Sequence, residues 1–165
     1  MEVHIEVFRA EHASAFEALN RAWLVDHGLY EAPDEEQLAD PWGAIIARGG
    51  QIFVALQDSE VFGSCAIIPH GPGTFELAKL AVAPTARGRG LGRRLVEACL
   101  AHARLRDMRR VVLVSSSRLE PALKLYQALG FQRRPLPADV PYATADVYME
   151  LDLAPPAAEP EPASS

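Results

Sequence analysis

Apolar residues recur along the chain with two different periods, one typical of strands and one typical of helices. These two periods predict which segments are strands and which are helices. A strand pattern covers residues 3–8, 52–56, 61–68, 74–82 and 110–115, with two further strands near residues 131–134 and 146–152. Helical spacing covers residues 12–25, 91–106 and 120–129, together with a polar helical stretch over residues 34–40. This mixed order predicts an α/β fold in which helices surround a central sheet.

The middle of the chain predicts a meander of strands. A turn-forming cluster at residues 57–60 precedes the strand over residues 61–68. A second cluster at residues 70–73 separates that strand from the one over residues 74–82. Because the connections are so short, we expect these strands to be consecutive and antiparallel.

A glycine-rich loop joins the strand over residues 74–82 to the helix over residues 91–106. Residues 87–94 read Arg-Gly-Arg-Gly-Leu-Gly-Arg-Arg. Backbone N–H groups in the first turn of a helix have no intrahelical acceptor, and the helix dipole adds about half a positive charge there. Glycine allows the loop to adopt positive φ, and arginine donates charge-assisted hydrogen bonds. The loop therefore predicts an anion site, best suited to a pyrophosphate.

Two common nucleotide motifs do not fit this loop. A P-loop ends in Gly-Lys-Ser/Thr, and a dinucleotide-binding turn reads Gly-x-Gly-x-x-Gly with an acidic residue about 20 positions later. Here Gly88, Gly90 and Gly92 alternate singly, and no later carboxylate stands at the end of an obvious second strand, where it could hold a ribose. A nucleoside triphosphate or a nicotinamide cofactor is accordingly disfavoured.

Three segments together resemble the GNAT superfamily of acetyl-CoA-dependent N-acetyltransferases. Arg87, Gly90 and Gly92 match its cofactor loop, Arg/Gln-x-x-Gly-x-Gly/Ala, while residues 76–84 resemble its fourth strand and residues 122–131 its last helix. The resemblance covers residues 3–153. It implies a GNAT-like mixed sheet of about seven strands, mostly antiparallel with a splayed parallel pair, flanked by helices on both faces.

The resemblance also implies where acetyl-CoA, the acetyl donor, would bind. Main-chain groups of the splayed strand would meet the pantetheine arm and the acetyl carbonyl, and the loop would hold the phosphates. The cofactor-binding residues implied are Leu80, Ala81, Val82, Arg87, Gly88, Arg89, Gly90, Leu91, Gly92 and Arg93. One position departs from the family, because Leu119 stands where an asparagine often precedes the catalytic tyrosine by seven residues.

Tyr126 occupies the position of the family's general acid, from which a phenol could protonate the sulfur of CoA. The alternative is a structural aromatic residue packed beside Leu125 and Leu129.

Glu76 is the candidate general base, since some members of the superfamily carry a catalytic glutamate at this strand position. Period-two alternation places it with Ala78, Leu80 and Val82 on one face of the strand, where apolar surroundings would raise its pKa. It also follows the turn at Gly73 closely, so a solvated strand end is an equal alternative.

Composition limits the classes of protein to which this chain could belong. The chain has 165 residues, 49% hydrophobic and 23% charged, which is typical of one globular domain. We expect that domain over residues 1–153 and a disordered Ala/Pro/Glu-rich tail over residues 154–165. No apolar run approaches the roughly 20 residues of a membrane span, and no signal-peptide pattern is present, so a cytoplasmic location without membrane association is expected.

Charge and cysteine usage narrow the function further. The net charge of −6 argues against nucleic-acid binding, although eight of the sixteen basic residues fall within residues 87–110 and suit the phosphates of CoA. Cys65 and Cys99 are expected as buried hydrophobes, and no metal-ligand spacing occurs, so no metal is predicted. The five scattered histidines are expected at surfaces or on helix faces.

The acceptor would be chosen by the segment between the first two strands. It holds Trp23, His27, Tyr30, Glu31 and an acidic run over residues 34–36, which could hold a cationic amine. Such a run is, however, more typical of the solvated start of a helix.

We therefore expect an N-acetyltransferase that acts on a primary amine of a small molecule by direct attack in a ternary complex. A protein lysine or N-terminal acetyltransferase is an alternative, and a CoA-binding sensor module without catalysis is a second alternative from another class. Whether the chain forms a homodimer is left open by the sequence.

Overall fold

A computed structural model describes residues 2–153, and its seven strands form one sheet. The strands are β1 (His4–Val7), β2 (Gln51–Gln57), β3 (Glu60–Pro69), β4 (Thr74–Val82), β5 (Arg110–Ser115), β6 (Gln132–Arg134) and β7 (Val147–Asp152). They lie in the order β1-β2-β3-β4-β5-β7-β6. The disordered tail predicted for residues 154–165 lies outside the described residues.

Four α-helices surround this sheet, and each was predicted within two residues at both ends. They are α1 (Ala13–Asp26), α2 (Ala32–Ala39), α3 (Leu91–Leu105) and α4 (Glu120–Ala128). The sequence pattern did not predict the single π-helical turn at Trp42–Ile46 or the short 3-10 turns at Ala10–His12 and Pro84–Ala86. Within residues 2–153, no helix is long and apolar enough to cross a membrane.

The sheet is mixed, as predicted. β4 and β5 run parallel, whereas the other neighbouring strands pair antiparallel. Over the described residues, β4 pairs with β5 only from Thr74 to Glu76. Beyond Glu76 the two strands diverge, which leaves one edge of β4 open and creates the splay that the family resemblance implied.

Two apolar clusters cover the two faces of the sheet. Residues of α3 and α4, including Leu95 and Leu123, pack on one face against strand residues such as Leu113. On the other face, Phe16 of α1 and Leu38 of α2 pack in the second cluster. The alternation of β2 produces this division, because successive side chains of a strand point to opposite faces.

A β-bulge interrupts β4 at Lys79. Ser64 of β3 pairs with Ala81, but Ala66 pairs with Ala78, so three steps along β4 oppose two steps along β3. Lys79 takes up the extra residue with a φ of 55°, in the left-handed region. A bulge of this kind redirects the side chains that follow it.

Candidate active site

A cavity of about 130 Å³ opens where β4 and β5 diverge. Residues of both sheet faces meet there, because the gap between the strands connects the α1 and α2 side with the α4 side. The lining residues that matter for the chemistry are Asn20, Trp23, Asp34, Glu76, Lys79, Leu80, Leu119, Tyr126 and Tyr142. A second cavity of about 100 Å³ lies beyond Glu76 and Tyr142, which line both cavities.

Tyr126 reaches this cavity from α4 and is only 7% exposed. Its ring packs edge-to-face on Phe131, with centroids 5.8 Å apart. Burial raises the pKa of the Tyr126 phenol well above its ordinary value, and the nearby thiols of Cys65 and Cys99 raise it further. The phenol therefore stays protonated at neutral pH, as a proton donor requires.

Glu76 enters the cavity from β4 with a side chain 24% exposed. Burial raises the pKa of this carboxyl, while the nearby charges of His70 and Lys79 lower it and offset part of the effect. Nδ1 of His70 lies 3.5 Å from Oε2 of Glu76. A carboxylate with a raised pKa in a cavity suits proton abstraction near neutrality.

The period-two prediction for β4 was wrong beyond Ala78. Glu76 and Lys79 both line the cavity, whereas Val82 packs against the α3 and α4 cluster. The physical reason is the bulge at Lys79, since one extra residue reverses the faces of all the residues after it.

The glycine-rich loop lies at the N-terminus of α3, outside the lining of the cavity. Gly88 and Gly90 have φ values of 80° and 72°, as the left-handed turns of such a loop require. Gly90 is the N-cap of α3, and no side chain within residues 2–153 caps this helix. The first amides of α3 therefore keep their capacity to donate to an anion.

The arginines around the loop differ in their partners. Arg93 pairs with Glu97 at 2.7 Å, and Arg94 donates to the carbonyl of Val3 at 2.9 Å. Arg89 contacts Gln57 more loosely, at 3.4 Å. Arg87 and Arg89 are exposed at the loop itself.

Of the three strand residues expected to bind the cofactor, Leu80, Ala81 and Val82, Leu80 alone lines the cavity. Ala81 is buried and pairs with Ser64, and Val82 pairs with Gly63. Leu119 lines the cavity as the N-cap residue of α4, so an apolar side chain occupies the position where the family often has asparagine.

The interpretation of Asp34 as part of a solvated helix start was wrong. Its side chain is 2% exposed and forms an ion pair with Lys79, whose side chain is 6% exposed, at a distance of 2.5 Å. By contrast, Glu35 is half exposed and pairs with Arg21 at 2.7 Å. Glu36 is exposed as well. The acidic run therefore divides into one buried and two surface carboxylates, because only one face of α2 meets the sheet.

The connection between β6 and β7, residues 135–146, lines the outer side of the cavity with Tyr142, Thr144 and Ala145. Glu31, the N-cap residue of α2, accepts hydrogen bonds from the amides of Ala143 and Thr144 at 2.7 and 3.1 Å. At the end of the connection nearest β7, the carboxylate of Asp146 accepts a hydrogen bond from the amide of Ser117 at 2.7 Å. These contacts place Tyr142 over the Lys79 ammonium, 5.7 Å from the ring centre.

Several lining residues were missed by sequence reasoning. Lys79 carried a signal, since it is the one charged side chain between Glu76 and Val82 in an otherwise apolar strand. Asn20 and Tyr142 carried none, because nothing in their local pattern shows which distant segment they meet.

Comparison with known proteins gives a family match for this chain. The model of the acetyltransferase (GNAT) family matches residues 12–131. A mycothiol acetyltransferase of Nocardioides sp. is 32% identical over 146 residues, which are 78% of this chain and 50% of that protein. The chain spans about half the length, or less, of the first curated relatives it matches.

Solved structures share the fold. A GNAT-family acetyltransferase from Staphylococcus aureus Mu50 superposes with a TM-score of 0.83 at 14% identity, covering 92% of this chain and 99% of that one. A phosphinothricin acetyltransferase from Sinorhizobium meliloti, in complex with AcCoA, superposes with a TM-score of 0.77 at 20% identity, covering 93% and 89%. At these identities the likeness concerns the fold alone.

Proposed function

Because this chain belongs to the acetyltransferase (GNAT) family, we propose that it is an N-acetyltransferase that transfers the acetyl group of acetyl-CoA to a primary amine of a small molecule. The observation that carries the proposal is the cavity at the splay. It brings Tyr126 and Glu76, one residue from each side of the sheet, to the open edge of β4. The name of the Nocardioides relative and the AcCoA complex of the Sinorhizobium enzyme support this choice of acceptor and donor.

The proposed reaction is direct attack in a ternary complex. Glu76 accepts a proton from the ammonium of the acceptor, and the neutral amine attacks the thioester carbonyl. Main-chain amides at Leu80 to Val82 stabilise the oxyanion. The C–N bond forms, the C–S bond breaks, and Tyr126 gives its proton to the departing sulfur. The attached nitrogen then loses its extra proton to the Tyr126 phenolate, which leaves the amide, the thiol of CoA and a protonated Tyr126.

The donor would be held at its far end by the loop over residues 87–93. Free amides at the start of α3 and the turns at Gly88 and Gly90 suit the two negative phosphates of CoA. Arg87 and Arg89 add positive charge from an exposed position.

The acceptor would enter from the α1 and α2 side, between Trp23 and Tyr142. The small volume of this cavity, about 130 Å³, and the β6–β7 connection along one side of it favour a small molecule over a folded protein surface. Glu76 attracts a cationic amine, since the other lining carboxylate, Asp34, is already paired with Lys79.

The test is release of free CoA from acetyl-CoA in the presence of panels of small amines, peptides and N-terminal peptides. We expect turnover with small primary amines and little with peptides. Activity confined to peptides would refute the small-molecule acceptor, and the absence of binding heat on titration with acetyl-CoA would refute the donor.

A further inference from the structure

Asp34 and Lys79 form an ion pair inside the wall of the cavity, with both side chains at least 94% buried. Burying two charges has a desolvation cost that their attraction often only balances, and apolar residues of similar size are frequently as stabilising. Stability alone therefore gives little reason for this pair. Its position in the site suggests a reason connected with the reaction.

Lys79 is also the bulge residue of β4. Its φ of 55° is unusual for a residue with a side chain, and such backbone conformations persist where surrounding contacts enforce them. Its carbonyl accepts a hydrogen bond from Oγ of Ser64 at 2.9 Å, and that hydroxyl in turn accepts from Asn20 at 3.0 Å. The main chain of Lys79 is thus held through β3 and α1, while its side chain is held by α2 through Asp34.

The bulge directly precedes Leu80, the first residue whose amide is proposed to meet the thioester. The path of the main chain from Leu80 onward depends on the conformation of Lys79. On the other side of the pair, Asp34 belongs to α2, which walls the acceptor part of the cavity and whose N-cap Glu31 holds the β6–β7 connection. The ion pair therefore joins the donor strand to the acceptor wall.

We propose that Asp34 and Lys79 are positioning residues for acetyl transfer. Their ion pair locks the bulge of β4 to α2, so that the amides receiving the thioester and the wall receiving the amine keep one spacing. This inference rests on the proposed function, since it requires β4 to receive the thioester. A misplacement of about 1 Å between reacting groups costs on the order of a hundredfold in rate.

The experiment replaces both charges together, in the variant Asp34→Leu/Lys79→Met. We expect a melting temperature close to that of the wild type, a kcat lower by about ten- to a hundredfold, and a raised KM for the amine. Lys79→Arg keeps the charge and should recover part of kcat. The matched control is Glu36→Leu/Arg48→Met, which removes an exposed pair of α2 at 2.8 Å and should leave kcat and KM unchanged.

Two results decide against the proposal. A folded Asp34→Leu/Lys79→Met variant with the kcat and KM of an active wild type would overturn it. Should that variant not fold, Asp34→Asn keeps the shape of the side chain and removes its charge, and a folded Asp34→Asn variant with the kcat and KM of an active wild type would overturn the proposal equally. A wild type that does not bind acetyl-CoA would instead refute the proposed function. Failure of the positioning proposal and failure of the proposed function are therefore distinguishable.

Discussion

Oε2 of Glu76 lies 3.5 Å from Nδ1 of His70, with the carboxylate largely enclosed and the imidazole more than half exposed. The two side chains line the second cavity, beyond Tyr142. The candidate base therefore has the cavity at the splay on one side and, on the other, an imidazole that contacts solvent.

The pH dependence of kcat/KM should report Glu76. The base must be ionised, so activity rises with pH, and burial places the midpoint above the ordinary value of 4.5. Because the charge of His70 lowers the pKa of Glu76, His70→Gln should move this midpoint to higher pH. A pH–rate profile measures it, with the exposed His4→Gln as control, and a midpoint that stays in place or falls would contradict the assignment.

Tyr126→Phe tests the general acid. The variant keeps the ring that packs on Phe131, so the fold and acetyl-CoA affinity should be retained. Loss of the proton donor should lower kcat by about a hundredfold or more. Thiol release and calorimetry measure the two quantities separately. Unchanged turnover in Tyr126→Phe would favour the interpretation of Tyr126 as a packed aromatic residue. A wild type that binds acetyl-CoA without any turnover would favour a binding module.

Gly90→Ala tests the phosphate loop, with Gly71→Ala as its matched control. Both glycines have positive φ, 72° and 87°, and a Cβ at either would meet no atom within 4 Å. Each substitution should cost about 1–2 kcal/mol of backbone strain. Only Gly90→Ala should also weaken acetyl-CoA binding, because Gly71 lies in a distant turn. Equal acetyl-CoA dissociation constants for the two variants would argue against a phosphate site at this loop.

Glu31→Gln tests the attachment of the β6–β7 connection. Burial by itself raises the pKa of Glu31. The hydrogen bonds from Thr144 and Ala143 outweigh this effect of burial, so the pKa of Glu31 is lowered. A lowered folded-state pKa contributes stability above the unfolded value, and that stability is lost as pH falls toward the folded value.

The Glu31→Gln variant should therefore melt a few degrees lower than the wild type at pH 7, with the difference shrinking as the pH falls below 4.5. The KM for the amine should rise, because Glu31 holds the β6–β7 connection, which carries Tyr142 into the lining of the cavity. Thermal melts at several pH values measure the effect, with the exposed Glu36→Gln as control. A difference that is constant over this range would show that the carboxylate charge is not involved.

Much of this molecule follows from local patterns. The strands, the four α-helices and the family were all predicted, since hydrophobic periodicity reflects which face of each element is buried. The positive φ at Gly88 and Gly90 was likewise expected from residue type. Roles for Tyr126, Glu76 and the loop stay predictions, because the geometry is compatible with them but does not test them.

The sequence by itself determined the order of elements and the chemistry of the loop at the start of α3, because each depends on neighbours a few residues apart. The mixed sheet was expected only from the family resemblance, since its parallel pair joins distant segments. Only the tertiary structure decided that Asp34 is buried, that a bulge at Lys79 reverses the faces of β4, and that Tyr142 covers the cavity. Those outcomes depend on segments far apart in the chain, as with Asp34 and Lys79, which are separated by 45 residues. Alternation along one strand cannot reveal which distant carboxylate will meet it.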